Sequence, residues 1–346
     1  MPAAAMPSTA AQAMQPTRAA SPRIVSVRPA SEAQWAAHWR GSPGATFFQS
    51  REWMRLGSLI ERRPLRVDAR LIAFSDGVQA VLPMVTWSAH KGWVKHHSLS
   101  VAGGYGGWLS GDAVGAAHAE RLARYVGGLG SVQWLGNPID PVAGASPPAG
   151  ALQYTDAIAL QGDMAAVLAR WSKGHRAALN QARRAGVRVR LATSLADWHA
   201  YFTVYEDSLR RWGTRATSHQ SLEVFEALCG LQSPNVRLWL ATHEERVVAG
   251  AVCLYAPRHV SYWHGAALER AFDVRPVNLL LHEAIRDACE RGLSWFDLGL
   301  SGGHEGVRAF KRSFGAVPLP CVSVAITTRW QRGVSALADL ADRVRA

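Results

Sequence analysis

The sequence predicts an α/β fold with a mixed β-sheet, built from two tandem units of similar plan. The chain has 346 residues, more than the roughly 100–200 residues of one typical domain. Hydrophobic residues make up 48% of the chain and charged residues 18%, which suffices to bury a substantial core. The same order of elements (hairpin, strand, loop, helix, strand) also occurs in both halves, which indicates two copies of one unit.

In the first half, residues 66–87 alternate between apolar and polar side chains on both sides of a turn at residues 75–77, which predicts a hairpin. A glycine-rich strand and loop are expected at residues 101–111. A helix from about residue 113 to 125 and a strand at residues 132–136 complete the first unit.

The second half repeats this plan. Residues 236–255 predict a hairpin that turns at residues 243–245, and a strand at residues 259–265 follows. A helix over residues 276–290 then leads to a strand at residues 293–299. This half also contains additional predicted helices at residues 164–186 and 196–211, and it holds most of the candidate chemistry.

Composition suggests where the units begin and end. Residues 1–22 are rich in alanine, proline, serine and glutamine and lack the order of a signal peptide, which predicts a disordered arm. The Pro/Gly/Ala/Ser-rich residues 137–150 resemble a linker. We therefore expect a first domain at residues 23–150, a second domain with the main site at 151–328, and a C-terminal helix at 329–346.

Charge and cysteine content restrict the function classes. The net charge of +12 favours an anionic partner such as nucleic acid, a phosphorylated carrier or a membrane surface. No apolar run approaches the about 18 residues that a membrane span needs. The four cysteines form no CxxC pair and no HExxH motif occurs, which argues against a zinc ribbon, an iron–sulfur cluster, a disulfide scaffold and a metalloprotease site. We expect a cytoplasmic protein without a metal.

A basic helix is predicted near the start of the second unit. Residues 164–196 contain no acidic residue, and helical spacing places Lys173, Arg176 and Arg183 on one face. Such a face would bind a phosphate or a carboxylate, because no opposing charge cancels it. The alternative is an ordinary solvent-exposed helix face. The basic residues of this segment are Arg170, Lys173, Arg176, Arg183, Arg184, Arg188 and Arg190.

Residues 295–315 predict a strand that ends at Gly299, a loop that contains Ser301, and a short helix. We expect an apolar helix face to anchor this helix and a cationic face to lie at the carboxyl end of the strand, where open α/β sheets bind ligands. Asp297 in the strand either accepts an orienting hydrogen bond or acts as a catalytic base. The apolar face comprises Val307, Phe310 and Phe314, and the cationic face comprises Arg308, Lys311 and Arg312.

Residues 299–303 also satisfy the G-x-S-x-G pattern of a serine hydrolase. A hydrolase of that fold needs an acid and then a histidine downstream of the serine. The only later histidine is His304, which is too close to the serine to act as its base. We therefore do not favour this interpretation.

The closing segment FDLGLSGGHEGVRAFKRSFGA and the basic segment WSKGHRAALNQARRAGVRVR together resemble the FemABX/BioF2-like branch of the GNAT acyltransferase superfamily. The resemblance covers roughly residues 47–320 and implies two tandem GNAT-like domains. The residues that match the basic-helix pattern are Lys173, Arg176, Leu179, Ala182 and Gly186. The residues that match the closing pattern are Phe296, Asp297, Gly299, Phe310, Lys311, Phe314 and Gly315.

The resemblance implies transfer of an acyl group from an activated donor to an amine. In members that use tRNA the F-K pair lies at the donor end, which maps to Phe310 and Lys311, and Lys311 would neutralise an oxyanion or donor phosphates. The residues expected to be catalytic are Lys311, Phe310 and Asp297. Those expected to bind the donor are Arg308, Arg312, Arg275, Asn278 and Ser301. Those expected to bind the acceptor are Lys173, Arg176, Tyr205, Trp212 and Arg215.

The donor itself stays open at this stage. The glycine loop with which GNAT proteins hold the pyrophosphate of coenzyme A is missing, since residues 270–276 contain no glycine. The helix at Pro276 and the side chain of Arg275 would still hold a phosphate. The segment Gly103–Gly107 of the first half is either a tight structural turn or a ligand loop.

We therefore expect an N-acyltransferase that uses acyl-CoA as a co-substrate, with no tightly bound cofactor. Its acceptor would be an amine of a cell-envelope, amino-sugar or peptide compound. One alternative is a Fem-type peptidyltransferase that uses aminoacyl-tRNA. A second alternative is a non-catalytic nucleic-acid-binding protein that uses its basic helices for phosphate contacts.

Overall fold

One mixed β-sheet organises the protein, as the computed structural model shows for residues 21–89, 93–140, 142, 150–216 and 219–327. Twelve strands form this sheet within the described residues, and helices pack on it. The predicted mixed α/β class is confirmed. The predicted C-terminal helix at 329–346 and residues 1–20 of the predicted arm lie outside the described residues.

The strands are β1 (Ile24–Pro29), β2 (Arg66–Phe74), β3 (Gln79–Ala89), β4 (Val94–Ser98), β5 (Ser131–Leu135), β6 (Ala151–Ala159), β7 (Arg188–Leu191), β8 (Val236–His243), β9 (Arg246–Tyr255), β10 (His259–Ala267), β11 (Trp295–Leu300) and β12 (Val317–Ile326). The helices are α1 (Glu32–Gly41), α2 (Arg51–Ile60), α3 (Ala116–Gly127), α4 (Met164–Ala169), α5 (Lys173–Arg184), α6 (Leu195–Trp212), α7 (Leu222–Gly230), α8 (Pro276–Glu290) and α9 (Glu305–Arg312).

Two predicted elements differ from the structure. The glycine-rich segment after the first hairpin is a loop, and the strand of that position is the earlier β4. Residues 164–186 form the two helices α4 and α5 instead of one. The reason for this break is Ser172, whose hydroxyl group accepts a hydrogen bond from the backbone N–H of His175 and so caps a new helix.

The strand order shows the repeat in the sequence. The order is β1-β2-β3-β4-β5-β12-β6-β11-β10-β9-β8-β7, which is symmetrical about its centre. In the first half β2, β3 and β4 are antiparallel neighbours and β4 and β5 are parallel; β8, β9, β10 and β11 repeat this arrangement.

The two halves share the sheet, because β12 of the predicted second domain pairs with β5 of the first. Strand β6 pairs with β12 on one side and with β11 on the other. A division into two domains at residue 150 therefore stays a prediction.

Two contacts place the elements that surround the candidate site. Helix α6 lies directly on β9, where a Cβ atom at Gly250 would collide with the ring of Tyr201. Helix α8 packs on β8, β9 and β10 and begins at Pro276, whose fixed φ suits the first helical position. Both helices therefore flank β10. Within the described residues no helix is both long enough and apolar enough to cross a bilayer.

Candidate active site

The parallel strands β10 and β11 separate part of the way along their length. They pair only where His259–Ser261 lies opposite Trp295–Asp297. Strand β10 then continues beside β9 to Ala267, with a β-bulge that takes Trp263 out of register. Strand β11 has its own irregularity between Asp297 and Leu300, where it pairs with β6. The separation leaves an opening at the carboxyl end of both strands.

The matching position of the first half is closed. Strands β4 and β5 are also parallel, but the glycine-rich loop fills the space beyond them. The backbone N–H of Gly106 donates to the carbonyl oxygen of Leu135 at 2.8 Å. A Cβ atom at Gly104 would lie 2.6 Å from the ring of Phe48. The loop therefore needs glycine for close packing, although Gly103 also lines the cleft described next.

A central cleft of about 440 Å³ lies between the two halves of the sheet. Aromatic side chains from both halves line it, together with a few polar groups. Its aromatic residues are Phe48, Tyr105, Trp212, Tyr262 and Trp263, and its polar side chains include Gln220, Ser261, His264, Asp297 and Lys311. A ligand that entered it would contact both halves of the sheet.

A second, lateral cleft of about 460 Å³ shares Trp212, Tyr262 and Gly265 with the central cleft. It extends from the end of β10 to the first turn of α8, and Phe310 forms part of its wall. The two clefts are therefore adjacent, with these three residues common to their walls.

The first turn of α8 presents polar groups to the lateral cleft. Arg275 precedes the helix with φ 52°, and no side chain caps this helix end. The amide Nδ2 of Asn278 is buried in the described part of the chain without a hydrogen-bond partner there. Helix N-termini attract anions through free N–H groups and the helix dipole. This end of the cleft is therefore suited to a phosphate.

Lys311 is buried, with 6% of its surface exposed. Its Nζ atom donates to the carbonyl oxygens of Gly299 at 2.7 Å and Leu300 at 2.9 Å. Burial lowers the pKa of Lys311, while the carboxylates of Asp156 and Asp297 oppose that shift. The predicted cationic face is therefore wrong for Lys311, because this residue lies on the buried side of α9, at the point where β11 leaves its regular pairing.

The predicted apolar face of α9 is also only partly buried. Phe314 is fully buried, whereas Val307 and Phe310 are exposed by 43% and 39%. Val307 lines the central cleft and Phe310 lines the lateral cleft. Two residues predicted to anchor the helix therefore also form cleft walls.

Asp297 lies at the inner end of the central cleft and is almost fully buried. Its carboxylate accepts hydrogen bonds from Thr155 Oγ1 at 2.5 Å and from the backbone N–H of Gly299 at 2.9 Å. Burial raises the pKa of Asp297, and these two hydrogen bonds oppose the rise. The carboxyl group is therefore both oriented by neighbours and easier to protonate than an exposed one.

Asp156 was not among the residues predicted from the sequence. This buried residue of β6 accepts a hydrogen bond from Ser301 Oγ at 2.7 Å, and its other oxygen has no hydrogen-bond partner in the described part of the chain. Ser301, predicted to bind the donor, thus contacts a carboxylate. Asp156 belongs to none of the motifs in the sequence, so only its buried position identifies it.

A second set of residues that sequence reasoning missed surrounds His264. Its Nδ1 atom lies 2.5 Å from the hydroxyl oxygen of Tyr201. Burial lowers the pKa of His264 to about 3. Tyr205, predicted to bind the acceptor, packs edge-on against this imidazole with 4.4 Å between ring centroids and is itself buried.

Only some of the other predicted site residues line these clefts. Trp212 lines both clefts, and Arg275 and Asn278 line the lateral one. Arg308 and Arg312 both form ion pairs with Glu305 on the surface of α9. Lys173 and Arg176 line neither cleft, although the N–H of neighbouring Ser172 donates to the carbonyl oxygen of Ser313 just after α9. The side chain of Arg215 lies outside the described part of the structure.

The chain matches a family model over part of its length. Residues 169–312 match the model described as an acetyltransferase (GNAT) domain. The predicted resemblance to the GNAT superfamily is therefore confirmed for this segment. It contains helices α5 to α9 and strands β7 to β11, which supply most of the residues that line the two clefts. Among proteins with curated functions, none is detectably similar to the chain in sequence.

Solved structures share the fold over most of the chain. The crystal structure of FemX has a TM-score of 0.67 and 11% identity, covering 86% of this chain and 96% of FemX. A Bacteroides thetaiotaomicron protein of unknown function has a TM-score of 0.54 and 11% identity, covering 88% and 100%. The C-terminal DUF2156 domain of a putative lysylphosphatidylglycerol synthetase from Agrobacterium fabrum has a TM-score of 0.51 and 13% identity, covering 90% of this chain and 97% of that domain. At these identities the similarity establishes the fold alone.

Two buried histidines predict acid sensitivity. Burial lowers the pKa of His264 to about 3 and that of His259 to about 4, from 6.5. Below pH 6.5 the unfolded chain therefore takes up protons that the folded chain does not. We expect each histidine to reduce the free energy of unfolding by about 2 kcal/mol at about pH 4.5 relative to pH 7.

Urea unfolding at the two pH values, with His259→Gln and His264→Gln, measures this effect. Each substitution should remove about 2 kcal/mol of the pH-dependent loss. His219→Gln is the control because that side chain is exposed. An unchanged pH dependence in both buried-site variants would contradict the assignment.

Proposed function

We propose that the protein is an N-acyltransferase that moves an acyl group from an acyl-CoA thioester to the amine of an acceptor bound in the central cleft. The separation of β10 from β11 is the observation that carries this proposal, because the central cleft opens there and the lateral cleft lies next to it at the end of β10. The GNAT domain match over residues 169–312 supports the same reaction class. The acceptor would be an amine of a cell-envelope, amino-sugar or peptide compound.

The lateral cleft is suited to the donor. Its wall at Gly265, Ala266 and Ala267 is strand backbone, which can bind an extended amide-containing chain as a neighbouring strand would. At its far end the α8 N-terminus, Arg275 and the free Nδ2 of Asn278 would bind phosphate groups. The glycine loop missing from the sequence would thus be replaced by one cation, one amide and the helix end.

The central cleft is suited to the acceptor amine. In the proposed reaction the acceptor arrives as an ammonium ion and transfers one proton to the carboxylate of Asp297. The neutral nitrogen then attacks the thioester carbonyl, so that a C–N bond forms and the C–S bond breaks. Protonated Asp297 gives its proton to the departing thiolate, and the second proton of the nitrogen passes to solvent. The raised pKa of Asp297 assists the first transfer, in which the carboxylate accepts a proton.

Lys311 supports this arrangement from the buried side. Its ammonium group binds the carbonyl oxygens of Gly299 and Leu300, which fixes the end of β11 where it turns away from β10. Its positive charge also lies close enough to Asp297 to favour the ionised carboxylate. We propose that Lys311 positions the site and keeps Asp297 able to accept a proton.

One observation favours aminoacyl-tRNA as an alternative donor. The basic residues Lys173, Arg183 and Arg184 of α5 are exposed, and the backbone contact between Ser172 and Ser313 joins the start of α5 to α9. A polyanion that bound α5 would therefore lie next to α9. Such binding would not need the phosphate-binding end of the lateral cleft. Nucleic-acid binding without catalysis would use the same surface.

Replacing Asn278 tests the donor site. We expect Asn278→Leu to weaken the binding of coenzyme A about 10-fold, because a buried amide that pairs with a charged phosphate contributes about 1.4 kcal/mol. Quenching of tryptophan fluorescence measures the affinity, since Trp212 lines both clefts. Asn180→Leu is the matched control because Asn180 is exposed on α5.

One result would contradict acyl-CoA as the donor, and another would contradict the proposed phosphate site. One is wild-type protein that does not bind coenzyme A but binds tRNA in a salt-sensitive way. The other is an equal affinity for coenzyme A in wild type and Asn278→Leu. The first result supports the tRNA alternative, and the second places the phosphates elsewhere.

Replacing Lys311 separates an enzyme from a binding protein. We expect Lys311→Met to lower the rate of acyl transfer at least about 100-fold, since it removes the charge and both carbonyl contacts but keeps most of the volume. Release of free thiol from acyl-CoA measures the rate, and the far-UV circular dichroism spectrum checks the folded fraction. Affinity for nucleic acid should change less than about 2-fold.

Lys95→Met is the control because Lys95 is exposed on β4, away from both clefts. A folded Lys311→Met protein that retains the wild-type rate would contradict the proposed role. A loss of nucleic-acid affinity without any measurable transfer by the wild type would favour the binding protein.

A further inference from the structure

The proposed reaction does not use a buried histidine–tyrosine pair that lies beside the central cleft. His264 of β10 lines the cleft, and Tyr201 of α6 lies behind it, fully buried. The Tyr201 hydroxyl oxygen and His264 Nδ1 are 2.5 Å apart. A polar pair of this kind is costly to bury unless both groups are satisfied.

The hydrogen bond between these groups sets the tautomer of the imidazole. Both groups are neutral at pH 7, because burial lowers the pKa of His264 and raises that of Tyr201. Within the described residues, the Tyr201 hydroxyl group has this nitrogen as its one hydrogen-bond partner. The phenol must therefore donate, since its proton would otherwise be buried without an acceptor. Nδ1 is thus the acceptor, and the proton of the ring lies on Nε2.

Aromatic neighbours hold the imidazole in one orientation. The centroids of Tyr205, Phe225 and Trp263 lie 4.4, 5.1 and 5.5 Å from that of His264. A side chain packed on several sides loses little further freedom when it binds a ligand. His264 therefore presents a fixed, uncharged N–H donor.

We propose that His264 determines acceptor specificity by donating its Nε2–H to an oxygen atom of the acceptor in the central cleft. This inference rests on the proposed function. It adds a second attachment point to the one that Asp297 offers to the ammonium group. The acceptor is then an amine that also carries a hydroxyl or carbonyl oxygen.

The strand geometry limits the distance between these two points. Ser261 of β10 lies directly opposite Asp297, and His264 is three residues further along the strand. At about 3.3 Å per residue the two positions are separated by at most roughly 10 Å along β10. An acceptor whose nitrogen and oxygen atoms are several bonds apart, as in a monosaccharide or a dipeptide, fits within that limit.

A pair of acceptor probes tests this assignment. Glucosamine carries ring amine and hydroxyl groups, whereas cyclohexylamine has a ring amine without oxygen. We expect the wild type to transfer acyl groups to glucosamine with at least 10-fold higher kcat/KM. His264→Phe should reduce this preference at least 10-fold by raising the KM for glucosamine, while the KM for acyl-CoA stays unchanged.

Tyr201→Phe is the second variant, because it removes one oxygen atom and should fold even where His264→Phe does not. Without the Tyr201 hydroxyl group the proton of the imidazole can lie on either ring nitrogen. The KM for glucosamine should therefore rise about 3-fold. Tyr255→Phe is the matched control, since its buried hydroxyl group donates to Asp287 away from both clefts. An unchanged preference in His264→Phe and Tyr201→Phe, or a wild type that transfers to neither probe, would overturn the proposal.

Nitrogen-15 NMR of the histidine side chains gives a readout that does not require activity. The wild type should show His264 with a protonated Nε2 and an unprotonated Nδ1, and Tyr201→Phe should change this pattern. A protonated Nδ1 in the wild type would overturn the inference even if acyl transfer were observed. Failure to bind coenzyme A would instead contradict the proposed function.

Discussion

The buried ammonium group of Lys311 is the interaction on which the site depends. It binds two carbonyl oxygens where β11 leaves regular pairing, and the carboxylates of Asp156 and Asp297 provide the opposing charge. A buried cation is stable only with such compensation. Because the carbonyl oxygens belong to the end of β11, the same contacts that stabilise the charge also fix the edge of the opening. The contacts of Lys311 therefore both stabilise its buried charge and hold the end of β11 in place.

The two halves of the sheet contribute different parts of the site. Both contain a pair of parallel strands, but only β10 and β11 leave space beyond their pairing, since the loop at Gly104 and Gly106 packs into the equivalent space beside β4 and β5. The first half instead supplies one wall of the central cleft. A shared sheet, with β12 beside β5, keeps that wall in a fixed position relative to β10. Cleft shape therefore depends on both halves.

Sequence patterns predicted the order of elements along each half of the chain and the segment around Asp297 and Lys311, because hydrophobic alternation and a short motif identify them directly. They failed for the orientation of α9, since the partners of Lys311 are backbone carbonyl groups at a strand end, and helical periodicity contains no information about those. His264 and Asp156 were missed for a related reason. Each becomes a site residue only through neighbours distant in the sequence, such as Tyr201 at 2.5 Å from His264.

Hydrogen–deuterium exchange with and without acyl-CoA shows whether the lateral cleft, beside the opening between β10 and β11, holds the donor. We expect slower exchange at residues 263–267 of β10 and at the first turn of α8, with no change in α5. Protection confined to α5, or no protection anywhere on addition of a saturating acyl-CoA, would contradict it.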